Sequence, residues 1–238
     1  MGRSKDLRGS LGPARSQGPR GTCLAFAVTA GHENHDPRDL PQLAVEVLYW
    51  GAKQHDGHPG SGTTFSAAAA ALMQWGQPDE NLWAYDPLRS EQAATYQPPP
   101  AAIDPAVCVF ADLRQITADS STVQAELDQD RVVTIGAPTW PGLRRPVGDR
   151  VGNPTQSDLD GGFHAMAVVG YQEDTGEFLL RNSWGLAWGD QGHAWVPMAS
   201  VDDHVRAAWV VEPASTASSA TSPPSSGPAI AKTLFGVE

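Results

Sequence analysis

The apolar positions in the first third of the chain recur with helical spacing, and loop-forming glycine, proline and polar residues separate the recurring stretches. The first stretch follows Gly21 and Thr22 and begins at Cys23, with Thr22 as the candidate N-cap. The pattern predicts helices over residues 23–33, 43–53 and 65–76.

The pattern changes after the proline-rich segment at residues 97–105. Beyond it, short runs rich in β-branched and aromatic residues alternate with turn residues, which predicts strands, and one more helix is predicted near residues 121–130. The predicted strands lie in AVCVFADL, RVVTIGAP, HAMAVVGYQ, EFLLRNSW, HAWVPMAS and RAAWVVEP. Helices followed by strands indicate an α+β fold with two lobes. The cleft between two lobes is a common place for a ligand-binding or active site.

The domain organisation follows from the same change of pattern. We predict one domain over residues 1–212, with a helical lobe over about 22–96 and a β-rich lobe over about 103–212. Residues 213–228 contain only Pro, Ala, Ser, Thr and Gly, which bury too little apolar surface to offset the entropy of ordering. Residues 213–238 are therefore predicted to be a disordered C-terminal tail, whose apolar end is a candidate contact for a regulatory partner.

Charge and motif spacing exclude several classes of function. The net charge of −11, without a local cluster of Lys and Arg, disfavours a nucleic-acid partner. Apolar runs are too short to span a bilayer and no signal segment follows Met1, so we expect a cytoplasmic protein without a membrane partner. The segments HENH, HDGH and DLDGG lack the ligand spacing of zinc or calcium sites, so no metal and no cofactor is predicted.

The two cysteines are too few for a disulfide scaffold and are interpreted as separate thiols. Cys108 lies in an apolar run, where a free cysteine is typically a small buried hydrophobe of a strand. Cys23 begins a helix, whose positive dipole end favours thiolate and makes this residue a candidate nucleophile. His164 opens a predicted strand after a glycine-rich loop, and Asn182 ends the next one, so antiparallel pairing could bring the two side chains together.

Four blocks of the sequence follow one another in a fixed order. They are Gln17-Gly18 with Cys23, then GTTFSAA with LWAYDP, then FHAMAVVGY, and then NSWGLAWGDQG. In this order of Gln, Cys, His and Asn, the chain resembles the papain-like cysteine peptidases over about residues 6–212, and NSWGxxWG is the most specific block. The resemblance implies a papain-like two-lobe fold, with a helical lobe, an antiparallel β-barrel-like lobe and the active site in the cleft between them.

The resemblance also implies a role for each matching residue. Cys23 would be the nucleophile, His164 its base and Asn182 the residue that orients His164. Gln17 and the backbone N–H of Cys23 would stabilise the oxyanion, and Trp184 would screen the histidine from water. The implied reaction is hydrolysis of a peptide or protein substrate by an endopeptidase through a thioester acyl-enzyme. The implied substrate-binding residues are Gly62, Thr64, Phe163, Ala165 and Trp184.

Three positions depart from the family pattern. Arg20 stands where the family has a disulfide cysteine, Leu24 where it has a tryptophan, and Ser61 where it has the first of two glycines. We therefore expect a disulfide-free form suited to a reducing compartment. Because the family-like sequence begins at Asp6, we expect a form without a propeptide that is restrained by a partner or by the tail.

Two alternatives to an endopeptidase use the same residues. One is a gated or inactive papain-like module that binds peptides, which predicts the loss of a catalytic group, although none is missing. The other keeps the acyl-enzyme but transfers the acyl group to an amine, as a transpeptidase does, or cleaves an isopeptide bond.

Overall fold

The structure is a computed structural model that describes residues 2–36, 42–155 and 162–214. Residues 215–238, which hold nearly all of the predicted tail, lie outside the described residues. Most of the segment DLDGG, considered above for a metal site, also lies outside them.

The helices of the described residues confirm the pattern of the front half. The first begins at Cys23 as predicted, but Thr22 does not cap it, because the Thr22 hydroxyl lies 2.8 Å from the Tyr85 hydroxyl instead. Thr64 caps the third helix by accepting a hydrogen bond from the N–H of Ala67. The helices are α1 (Cys23–His35), α2 (Val45–Asp56), α3 (Phe65–Gln74), α4 (Ser120–Asp128), α5 (Pro141–Arg144) and α6 (Met198–His204).

The strands of the described residues are β1 (Ser4–Asp6), β2 (Ala111–Ile116), β3 (Val133–Pro138), β4 (Phe163–Gln172), β5 (Glu177–Arg181), β6 (His193–Pro197) and β7 (Ala207–Pro213). They form one antiparallel sheet with the order β2-β7-β3-β4-β5-β6, and β1 pairs with the C-terminal end of β4. The path ends at β2 and β6, which do not pair with each other, so the sheet is open. The predicted α+β class is confirmed, whereas the barrel-like form of the β-rich lobe is corrected to an open sheet.

Two predicted strands have different bounds in the structure. In AVCVFADL the strand begins only at Ala111, because Val109 pairs with Gln77 and not with β7. Cys108 precedes β2 and is partly exposed, so its assignment to a buried strand is wrong. In HAWVPMAS the strand ends at Pro197, which has no N–H to extend the ladder, and α6 follows directly.

Helix α1 contributes residues to two hydrophobic clusters. One cluster is formed mainly by the sheet, and the other mainly by α1, α2 and α3. The Thr134 hydroxyl of β3 donates a hydrogen bond to the Ala27 carbonyl of α1. Further along α1, a Cβ on Gly31 would lie 3.0 Å from Val211 Cγ2 of β7, a tight contact that glycine avoids. This packing fixes α1 on the sheet. None of the helices in the described residues is both long and apolar enough to cross a membrane.

Candidate active site

The Cys23 side chain is fully buried at the N-terminal end of α1. Burial raises the pKa of the Cys23 thiol to about 11, and the backbone N–H groups of Ala165, Leu24 and Cys23 itself act in the opposite direction. Because Ala165 follows His164 in β4, the thiol lies against the backbone next to the candidate base.

His164 and Asn182 are brought together by β4 and the end of β5, as their positions in the sequence suggested. The Nε2 atom of His164 lies 2.8 Å from Oδ1 of Asn182. The backbone N–H of Ser183 also donates to this Oδ1, at 2.8 Å, so the atom is the amide oxygen and His164 Nε2 must carry the hydrogen. The neutral ring therefore has its lone pair on Nδ1, which can accept the proton of a thiol.

Trp184 covers the face of the His164 ring. The two ring centroids are 4.5 Å apart, and the rings are stacked with an angle of 27° between their planes. Trp188 contacts Trp184 edge-on, and its indole N–H donates a 2.8 Å hydrogen bond to the Leu143 carbonyl. The stacked indole limits rotation of the imidazole and shields one face of it from solvent.

Gln17 is almost completely buried, and its side-chain amide is fixed at both ends. The Ser183 hydroxyl donates to Gln17 Oε1 at 2.6 Å, and Gln17 Nε2 donates to the Arg20 carbonyl at 2.7 Å. An amide nitrogen carries two hydrogens, so one N–H of Gln17 is left for another acceptor. The backbone also holds this position, since the N–H of Gln17 donates to the Ser183 carbonyl at 2.9 Å.

The segment between Gln17 and Cys23 is held by a second side chain. The Tyr85 hydroxyl donates to the Gln17 carbonyl at 2.7 Å and lies 2.8 Å from the Thr22 hydroxyl. The Arg20 guanidinium lies 4.9 Å from the centre of the Tyr85 ring. Tyr85 thus ties the start of this segment to its end.

The electrostatic environment of His164 disfavours its charged form. Burial lowers the pKa of His164 to about 4, the hydrogen bond with Asn182 raises it, and the positive charge of Arg144 lowers it further. Arg144 belongs to α5 and donates to the Thr139 hydroxyl at 2.8 Å. Taken singly, the buried imidazole and the buried thiol of Cys23 each favour the neutral form at pH 7.

Of the predicted substrate-binding residues, Phe163 and Ala165 flank His164 in β4, and Gly62 lies against Gly21. Gly62 has φ +89°, a value that favours glycine, and a Cβ on Gly21 would lie 2.6 Å from its backbone nitrogen. Phe163 begins β4 opposite Pro138 and is partly exposed. The Ala165 methyl, by contrast, is 1% exposed and belongs to the core around the helices, so it presents little surface to a ligand.

Sequence reasoning assigned no role to several residues of the site. Ser183 was hidden inside the NSW motif, and Tyr85 inside the block LWAYDP, although both contact Gln17. Arg20 contacts Glu46, which is distant in sequence, and Lys53 contacts backbone carbonyls. A sequence motif records neither kind of contact. Within the described ranges, no three His, Cys, Asp or Glu side chains are grouped so that they could hold a metal ion.

Comparison with known sequences agrees with this geometry. A model of the family described as papain family cysteine protease matches residues 149–208. An uncharacterised peptidase C1-like protein of Acanthamoeba polyphaga mimivirus is 26% identical over 218 residues, which are 82% of this chain and 68% of that protein. Cathepsin K of Gallus gallus is 25% identical over 197 residues, which are 78% of this chain and 55% of cathepsin K.

Comparison with solved structures identifies the fold. Xylellain, a cysteine protease from Xylella fastidiosa, superposes with a TM-score of 0.76 at 21% identity, covering 89% of this chain and 86% of xylellain. Digestive procathepsin L 3 of the Tenebrio molitor larval midgut superposes with a TM-score of 0.67 at 19% identity, covering 87% and 69%. The chain thus has the papain-like fold. Its residues 149–208 match the papain family cysteine protease model, and both of its cysteines are free thiols.

Proposed function

We propose that the protein is a cysteine-type endopeptidase in which Cys23, His164 and Asn182 act as nucleophile, base and orienting residue. The observation that carries this proposal is the 2.8 Å hydrogen bond from His164 Nε2 to Asn182 Oδ1, because it leaves Nδ1 free to take the thiol proton. Since burial alone favours neutral groups, we infer that the thiolate and the imidazolium form together and stabilise each other by their attraction.

The proposed reaction has two stages. The Cys23 thiolate attacks the peptide carbonyl, and the oxyanion accepts hydrogen bonds from the free N–H of Gln17 and the backbone N–H of Cys23. The His164 imidazolium then gives its Nδ1 proton to the leaving amine, and a thioester to Cys23 remains. Water attacks this thioester and gives a proton to His164, and the C–S bond then breaks, which releases the carboxylic acid and restores the pair of thiolate and imidazolium.

The test is reaction of the purified protein with a peptidyl epoxide that alkylates papain-like nucleophiles, together with a fluorogenic peptide. We expect the epoxide to modify Cys23 in peptide mass mapping, and both modification and hydrolysis to be lost in His164→Ala. Cys108→Ser, which removes the other thiol, serves as the matched control and should retain both. A folded protein whose Cys23 stays unmodified would contradict the proposal and favour the gated binding module.

The acceptor of the acyl group is tested in the same assay. With a peptide amine added, an endopeptidase gives hydrolysed fragments, whereas a transpeptidase gives ligated products of higher mass. An isopeptide-linked substrate distinguishes the third possibility. We expect hydrolysis of the ordinary peptide bond to dominate.

A further inference from the structure

All three hydrogen-bond donors of the Lys53 ammonium group are used by backbone carbonyls of one loop. At the end of α2, Lys53 Nζ donates to the carbonyls of His58, Gly60 and Gly62 at 2.9, 2.9 and 3.1 Å. An ammonium has three hydrogens, so residues 58–62, which we call the 58–62 loop, use all of its donors. The buried carboxylate of Asp56 lies 3.0 Å from the same nitrogen and balances its charge.

The backbone of this loop needs such support because its glycine residues allow many conformations. It reads HPGSG and follows Gly57, which ends α2 with φ +63°. Glycine loses more backbone freedom on ordering than any other residue. The Asp56 carboxylate also accepts the N–H of His58 at 2.8 Å, so Asp56 and Lys53 together fix the path of the chain after α2.

The 58–62 loop lies beside the candidate nucleophile. A Cβ on Gly21, two residues before Cys23, would lie 2.6 Å from the nitrogen of Gly62. A cavity of about 540 Å³ is lined by Lys53, Ser61 and residues of the segment 89–97. The backbone of the loop at Gly62 therefore lies against the segment that leads to Cys23, and Lys53 and Ser61 line a cavity beside the loop.

We propose that Lys53 is a positioning residue that holds the 58–62 loop in the geometry in which the Gly62 backbone pairs with an extended peptide. This inference rests on the proposed function. Pairing with an extended peptide depends on main-chain hydrogen bonds, which need a backbone ordered before the substrate arrives. Without the three carbonyl contacts, part of the binding free energy would be spent on ordering the loop. Substrate binding should suffer, while the chemistry at Cys23 should not.

The experiment compares Lys53→Met, which keeps the length of the side chain but has no donor, with Lys5→Met as the matched control. Lys5 belongs to β1, away from the cleft, and its ammonium group pairs with the carboxylate of Asp130. For Lys53→Met we expect KM of a fluorogenic peptide to rise about 10- to 100-fold with kcat nearly unchanged, the pattern of lost binding. Lys5→Met should match the wild-type protein.

Alkylation separates this effect from damage to the nucleophile. Iodoacetamide needs no extended cleft, so its rate with Cys23 should be unchanged in Lys53→Met, whereas the rate with a peptidyl epoxide should fall as KM rises. A fall in both rates, or a fall in kcat with KM unchanged, would overturn the inference. If Lys53→Met does not fold, Lys53→Gln, which keeps two donors on a shorter side chain, should give an intermediate KM.

Hydrogen exchange decides the role of Lys53 without any catalysis. In Lys53→Met we expect faster exchange in residues 57–62 than in the wild-type protein, with unchanged exchange in α1. Unchanged exchange in the loop would overturn the inference even in an active enzyme. A wild-type protein that neither hydrolyses peptides nor reacts with the epoxide would instead overturn the proposed function, leaving the exchange result to decide the role of Lys53.

Discussion

His164 donates a hydrogen bond from Nε2 to Oδ1 of Asn182, and the N–H of Ser183 fixes which end of the amide faces the ring. Asn182→Ala removes the acceptor and frees the imidazole to rotate under Trp184. A hydrogen bond to a charged group contributes about 1.5–3 kcal/mol, so kcat/KM of a peptide substrate should fall about 10- to 150-fold.

The control for this prediction is Asn182→Gln, which keeps the amide on a longer side chain. It should recover part of the lost activity, and both variants should show the same circular dichroism as the wild-type protein. Equal activity of Asn182→Ala and the wild-type protein would show that Trp184 and the backbone suffice to orient His164.

Gln17 is expected to act on the transition state and not on the nucleophile. Gln17→Ala removes the free N–H proposed as an oxyanion donor, and removing one such donor typically lowers kcat about 100- to 1000-fold. Alkylation of Cys23 by iodoacetamide forms no oxyanion, so its rate should stay within about twofold of the wild-type rate. A parallel loss of both rates would mean that Gln17 serves only to hold the segment before Cys23.

The pH dependence of Cys23 should depend on His164. The pKa of the buried thiol is raised to about 11, chiefly by burial, so without an imidazolium partner only about one thiol in 10⁴ would be ionised at pH 7. In His164→Gln, the rate of alkylation by iodoacetamide should therefore be very low at pH 7 and should rise as the pH approaches 11. In the wild-type protein, the ion pair should keep the rate high near neutral pH.

This measurement needs a single reactive thiol, because Cys108 is partly exposed. Both proteins are therefore compared in a Cys108→Ser background, with the rate measured from pH 5 to the highest pH at which the fold persists. The same neutral-pH rate in both proteins would show that the thiolate does not depend on the imidazole.

The helices and the candidate catalytic residues could be predicted from the sequence because both depend on local signals. The run of mostly small and apolar residues at positions 23–33, all of which α1 buries, is visible in the sequence, and the helix begins at Cys23 as predicted. The pairing of His164 with Asn182 followed from adjacent antiparallel strands, a short-range feature of topology. Local signals in the sequence thus identified the candidate catalytic residues.

Features that depend on distant partners were not predictable in this way. Strand β1, Ser4–Asp6, is a polar tripeptide that is a strand only because its backbone pairs with β4 more than 160 residues later. Whether a sheet closes depends on the pairing of its end strands, which alternation of apolar residues does not specify. The acceptors of Lys53 are carbonyl groups, which every residue carries. Side-chain types alone could not indicate that these carbonyls converge.

The ion pair between Arg20 and Glu46 is such a distant contact. Arg20 occupies the position at which the resemblance to papain-like peptidases implies a disulfide cysteine. The guanidinium donates two hydrogen bonds to the buried carboxylate, at 2.8 and 2.7 Å, and a third to the Asp86 carbonyl at 2.9 Å. Both side chains are nearly inaccessible to solvent. Removing one partner of a buried ion pair leaves an uncompensated charge and typically costs about 3–5 kcal/mol.

We therefore predict that Glu46→Gln lowers the free energy of unfolding in urea by about 3–5 kcal/mol. Arg20→Leu with Glu46→Leu should cost less than the sum of the two single variants, because the double variant removes both charges of this buried pair. The exposed pair of Arg3 and Asp128 is the matched control, and Asp128→Asn should cost less than about 1 kcal/mol. If Glu46→Gln were no more destabilising than this control, the Arg20 ion pair could not be the contact that takes the place of the disulfide.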